Sequence, residues 1–136
     1  MHRSNPYQRT RRDHATETAE DYVEAIAEIS ETRGLCRIVD LARQFGVSHV
    51  TVTRIVTRLQ SEGWVTTEPY RPVKLTQKGA RLAAESRQRH EIVYKFLLAI
   101  GVKPEIAAID AEGIEHHVSP KTLEQFERFL KELNEA

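Results

Sequence analysis

The stretch Glu112-Gly113-Ile114-Glu115-His116-His117 holds two carboxylates and two imidazoles, all able to ligate a divalent cation. On a helix Glu112, Glu115 and His116 fall at i, i+3 and i+4, so two carboxylates and an imidazole share one face and can close on one ion. One helix face offers too few donors for tight binding. The same chemistry occurs at two other places, the i, i+3 pair Asp21 and Glu24, and His90. Each group also has a bland reading. Acidic runs are most often solvated helix faces, an acid near the third helical position meets the helix dipole favourably by ~0.3–1 kcal/mol, and a lone His on an apolar face is more often a hydrogen-bonded core residue. Metallohydrolase and di-iron chemistry are excluded by motif, because no HExxH, HxxEH or ExxH pattern occurs.

At 136 residues the chain can form one compact body, or a small domain with an appendage, and can build a core without a metal. Lys plus Arg and Asp plus Glu stand at 20 each, but they are unevenly spread. From Arg33 to Arg89 eleven basic residues face four acidic ones, a net of +7, whereas Glu91 onward carries nine acidic and five basic, a net of −4. A basic middle ahead of an acidic end implies a polyanion-binding face and a separate body with another task. The single Cys36 excludes a disulfide framework within the chain and a CxxC zinc site, and it fits a reducing compartment. Apolar runs are only a few residues long, so neither a membrane span nor a signal peptide is expected, and the expected location is the cytoplasm.

The elements that must position these groups follow from periodicity. Residues 1–16, with Arg3, Arg9, Arg11 and Arg12, lack an apolar stripe and are expected to form a flexible basic arm. Thr18 caps a helix to about Thr32, with Tyr22, Ala25, Ile26 and Ile29 inward. A short helix over residues 37–45, a Gly46-Val47 turn and a helix from the Ser48 cap to about Glu62 make a helix-turn-helix. Its second helix buries Val52, Ile55, Val56 and Leu59 and leaves His49, Val50, Thr53, Arg54, Thr57 and Arg58 outside. Ser48, His49, Thr51, Thr53, Arg54, Thr57 and Arg58 are the expected DNA contacts, since hydroxyls and guanidinium groups suit phosphates and base edges. The alternating stretch Trp64–Glu68 and the return Val73–Leu75 form a two-stranded wing with Tyr70 and Arg71 at its tip, within reach of DNA. A long helix over 77–100 places Leu82, Ser86, His90, Val93, Leu97 and Ile100 on one face. A helix from Pro104 to about His117 and a last one capped by Ser119-Pro120 follow, with Leu123, Phe126, Phe129, Leu130 and Leu133 inward. Gly113 costs its helix ~1 kcal/mol relative to Ala, which close approach of another helix would justify. The expected fold is mainly α: a winged helix-turn-helix over 17–76, then a helical dimerisation and metal-binding domain over 77–136.

In this order, Asp21-x-x-Glu24, winged helix, Arg89-His90-Glu91 and Glu112-Gly-Ile-Glu-His-His117 resemble the manganese transport regulators, the short branch of the diphtheria toxin repressor superfamily. The resemblance covers nearly the whole chain beyond the basic arm. It implies a metal site of Asp21, Glu24, His90, Glu112, Glu115 and His116, with His117 outside the set. It also implies Mn²⁺ as cofactor, up to two ions per subunit, with Fe²⁺, Zn²⁺, Co²⁺ or Cd²⁺ as substitutes. The chain ends after its last helix without the SH3-like domain of the iron-sensing cousins, and this favours the manganese branch.

The resemblance further implies a homodimeric, Mn²⁺-responsive repressor of metal-uptake genes that reads an inverted-repeat, double-stranded operator and is not an enzyme. Metal would clamp the first helix to the dimerising helices and so set the spacing of the two recognition helices. The rival from another class is a metal-independent winged-helix repressor that answers a small organic ligand. Adding Mn²⁺ separates the two, because only the first gains specific DNA affinity.

Overall fold

The first helix is longer than its apolar stripe. The structure, a computed structural model, describes the backbone of residues 5–136 and the side chains of residues 16–136. Helix α1 spans Asn5–Arg33 and begins well ahead of the start expected at Thr18. Pro6 lies in its first turn, where a missing N–H is harmless, and no Gly or Pro interrupts residues 7–33. The expected flexible arm is therefore helical from Asn5 onward. Its Arg3, and the side chains of Arg9, Arg11 and Arg12, lie outside the described residues.

Packing divides the chain into two units, one holding residues 14–84 and the other residues 85–136. In the first, Tyr22, Ala25 and Ile26 of α1 pack with Leu41 and Ala42 of α2 (Ile38–Phe45) and with Val52, Val56 and Leu59 of α3 (His49–Ser61). Tyr22 stacks on Phe45 with ring centroids 4.4 Å apart. Gly46 closes α2 at φ +64, a conformation that other residues adopt at a cost, and this tight turn sets the α2–α3 angle. Ser48 then caps α3, its hydroxyl accepting from the Thr51 amide at 3.1 Å. Cys36 is fully buried beneath this core, and burial, helped by the charge of Asp40, pushes its thiol up to about 11.

The wing pairs β1 (Val65–Thr66) with β2 (Lys74–Leu75), antiparallel, Val65 opposite Leu75 and Thr66 opposite Lys74. The ladder is shorter than the alternating sequence suggested, because Pro69 and Pro72 have no N–H to donate. Val73 instead bridges to Cys36, its amide donating to the Cys36 carbonyl at 2.8 Å. Helix α4 (Gln77–Ala99) starts at Thr76, whose hydroxyl accepts from the Gly79 amide at 3.0 Å. Gly79 lies so close to the Trp64 carbonyl that a Cβ there would collide with it.

The second unit packs Val93 of α4 with Ala111 of α5 (Pro104–Ile114) and Leu123 of α6 (Pro120–Glu135). Phe96 stacks on Phe126 at 3.9 Å between centroids. Helix α5 stops at Ile114 rather than near His117. The amides of His116 and His117 reach back three residues, to Gly113 and Ile114, so the chain tightens into a turn before Ser119-Pro120 opens α6. Three expected core residues face outward: Ile100, Phe129 and Leu133 are 56%, 40% and 50% exposed. Ile100 follows the end of α4 at the Gly101 turn, and on α6 Leu123 and Phe126 take the covered positions while Phe129 meets Phe96 only edge-on, ring centroids 5.5 Å apart. Ile106 and Ile109 of α5 are exposed as well, and a Cβ on Gly113 would meet nothing within 4 Å, so no close approach among the described residues requires that glycine.

The two helical glycines therefore predict opposite outcomes. Gly79→Ala should destabilise by about 1–3 kcal/mol through overpacking, whereas Gly113→Ala should be neutral or stabilising by up to ~1 kcal/mol, both read by urea unfolding. Equal midpoints for Gly79→Ala and the native chain would remove the close contact from the account.

Candidate metal centre and nucleic-acid interface

On the reader, α3 exposes His49, Thr53, Arg54, Thr57 and Arg58. His49, Thr53 and Thr57 line one groove together with Tyr70 and Arg71 of the wing. Tyr70 is fully exposed at the tip, held at φ +63, and the Arg71 amide donates to the Glu68 carbonyl at 3.0 Å. Arg54 and Arg58 do not line that groove, and Arg58 sits 4.0 Å from Glu62 one turn on. Ser48 and Thr51 are committed to the cap, their hydroxyls 3.0 Å apart, and so position the helix start. Three residues stand beside the expected contacts without having been counted among them. Val50, already read as outward, is 79% exposed in the first turn of α3. Arg37 and Gln60 line the same groove as His49, and Gln60 also accepts from the Thr67 amide at 3.2 Å, bracing wing against helix. Only the i+3 spacing of Gln60 from Thr57 could have flagged it.

In the second unit α4 and α5 bring His90 and Glu112 together, Nδ1 lying 3.0 Å from Oε1. That nitrogen is buried and makes no hydrogen bond there. Glu115 is turned inward and its side chain is fully buried. Its Oε1 accepts from the Ser86 hydroxyl at 3.0 Å and its Oε2 from Arg89 Nε at 3.2 Å. His116 Nε2 lies 3.2 Å from Oε1 of the same carboxylate. Glu115 continues the helical spacing of Ala107 and Ala111 onto the buried face, its amide still donating to the Ala111 carbonyl at 3.0 Å, while Glu112 remains exposed beside His90.

In the first unit Asp21 and Glu24 are half-buried, one turn apart on α1. Glu17 and the buried Glu20 extend them into a stripe at i, i+3, i+4 and i+7, a spacing visible in the sequence but passed over there. Ser86 and Arg89 were likewise unassigned as supports. Their i, i+3 relation, one residue ahead of His90, was the available signal.

A winged helix with a basic, hydroxyl-rich face, followed by a helical unit with converging imidazole and carboxylate groups, defines a metal-responsive DNA-binding regulator. Residues 14–73 match the family description "Iron dependent repressor, N-terminal DNA binding domain", and residues 76–136 match "Iron dependent repressor, metal binding and dimerisation domain". The chain belongs to the iron dependent repressor family of transcription regulators, which are not enzymes. It is 47% identical over 126 residues to Transcriptional regulator MntR of Salmonella typhimurium, covering 93% of this chain and 80% of that one. It is 35% identical to HTH-type transcriptional regulator MntR of Lysinibacillus sphaericus, covering 88% and 86%. Among solved structures it is similar to the manganese regulator SloR, with TM-score 0.72 and 29% identity over 83% of this chain. The chain spans about half the length of that solved protein, 53%. Among the described residues no helix is long and apolar enough to cross a membrane.

The two arginines on different flanks predict separable effects. Arg54→Ala and Arg71→Ala should each weaken DNA binding and flatten its salt dependence by roughly one charge unit. Unchanged affinity and slope in a fluorescence-anisotropy titration would take that residue out of the interface.

Proposed function

We propose that the chain is a Mn²⁺-responsive repressor of metal-uptake genes in the cytoplasm, binding as a homodimer to an inverted-repeat operator. Its metal ligands are Asp21, Glu24, His90, Glu112, Glu115 and His116. Its domains are the arm 1–16, the reader 17–76 and the helical domain 77–136. The observation that carries this reading is the approach of His90 Nδ1 to Glu112 Oε1 at 3.0 Å, without a hydrogen bond, beside the turn that holds Glu115 and His116. A set of carboxylates and imidazoles suits hard to borderline divalent ions.

When bound, a divalent cation supplies the positive charge that offsets repulsion among four carboxylates. Arg89 and Ser86 hold Glu115 in place, so its orientation is prepared ahead of ligation. Asp21 and Glu24 stand on α1, whose apolar face packs on α2 and α3. A tie between α1 and the residues of the second unit therefore restrains the recognition helix. In a homodimer that restraint fixes the spacing of two recognition helices over successive major grooves.

The reading is tested by DNA binding with and without a panel of divalent metals. Glu24→Ala should keep fold and dimer yet leave specific DNA binding insensitive to Mn²⁺. Linkage demands that operator DNA tighten Mn²⁺ by the same factor by which Mn²⁺ tightens DNA. A calorimetric titration with identical Mn²⁺ affinity in the presence and absence of operator would sink the proposal.

Metal choice gives a second test. Zn²⁺ exceeds Mn²⁺ in affinity at a given site but is satisfied by about four ligands. It should bind at least as tightly while leaving Asp21 or Glu24 unengaged, and so activate DNA binding less. Full activation by saturating Zn²⁺ would show that selectivity does not reside in geometry.

A further inference from the structure

The start of α4 is fastened to the end of the recognition helix by more contacts than a linker requires. Lys78 Nζ donates to the Glu62 carbonyl at 2.8 Å and lies 4.0 Å from the centroid of the Trp64 ring. Glu62 is the C-cap of α3, where unpaired carbonyls and the helix dipole concentrate negative charge and favour an ammonium group. The ring face attracts the same cation. Beside it, the Thr76 hydroxyl donates to the Gly63 carbonyl at 2.6 Å, and Gly79 abuts the Trp64 carbonyl. The cap and first turn of α4 thus grip three consecutive residues, 62, 63 and 64, at the α3–β1 joint. By sequence Lys78 belongs to the basic excess of the reader, yet its exposed ammonium is engaged by the protein's own Glu62 carbonyl and Trp64 ring.

We propose that Lys78 is a positioning residue for DNA binding, locking the recognition helix to α4 so that the two move as one piece. This rests on the metal-activated reading above, since α4 also carries His90. The helix is uninterrupted from Gln77 to Ala99, so His90 stands about 18 Å along the axis from Lys78 at 1.5 Å per residue. With the joint intact, a restraint applied at His90 is delivered to α3. With the joint loose, it is absorbed between residues 62 and 79.

The test uses the full chain, a duplex selected from random DNA by the native protein with Mn²⁺, and the variants Lys78→Met and Lys78→Arg. Lys78→Met keeps the stem over Trp64 and removes the charge, and emission of Trp64, the single tryptophan, reports the disturbed joint. In Lys78→Met the affinity for Mn²⁺ without DNA and the salt slope of DNA binding should be unchanged. The stimulation of DNA binding by Mn²⁺ should fall by about fivefold or more, and Lys78→Arg should restore it. A reduced salt slope would make Lys78 a phosphate contact and overturn the proposal, as would full stimulation with altered Trp64 emission. Should Lys78→Met fail to fold, Thr76→Val loosens the same joint and must give the same pattern. Should the native chain show no response to Mn²⁺, the metal reading fails separately. The joint then stands if Lys78→Met binds the duplex more weakly at constant salt slope, and falls if it binds as well as the native chain.

Discussion

The carboxylate of Glu115 is the constraint on which the second unit depends. A side chain with no exposure cannot stay ionised without compensation, because removing a carboxylate from water costs several kcal/mol even after relaxation. Arg89 and Ser86 provide that compensation from one face of α4, three residues apart. The contact therefore fixes both the rotation of α4 and the end of α5. Glu115 falls on the face that Ala107 and Ala111 already bury, at helical spacing from both, whereas Glu112 lies at the exposed edge of that face.

The reader is held by a different kind of constraint. Its α2 and α3 are short, with eight and 13 residues, so neither would persist without tertiary packing. Rigidity comes from termini: Ser48 at the start of α3, Lys78 at its end, and the Cys36–Val73 bridge at the wing root. On the outward face of α3 two hydroxyls back-bond to the helix, Thr57 donating to the Thr53 carbonyl at 2.8 Å and Ser61 to the Arg58 carbonyl at 2.6 Å.

Where one period governed the sequence, the structure was legible. The reader helices, their Gly46 turn and Ser48 cap, and the inward positions of α3 could all be read because apolar spacing and cap chemistry agree there. Helix α1 was misjudged because propensity without an apolar stripe gives no signal of where to stop short. Phe129 and Leu133 have the right spacing but the wrong surroundings: periodicity says which face is apolar and cannot say what covers it. The candidate ligands were legible as residue types, and the approach of His90 to Glu112 joins two that are 22 positions apart. The supporting roles of Ser86 and Arg89 were not legible, because spacing tells which residues share a helical face and not which side chains of a neighbouring helix they meet.

Magnitudes connect the two halves. Allosteric coupling between sites is usually about 1–3 kcal/mol, and a single hydrogen bond to a charged group contributes about 1.5–3 kcal/mol. A regulator of this kind therefore works within the energy of one or two internal contacts. Ligands alone cannot secure the response, since any joint between ligand and reader that yields for less than the coupling energy dissipates it. The contacts that fasten α3 at both ends, and Glu115 to α4, are of the size the coupling requires.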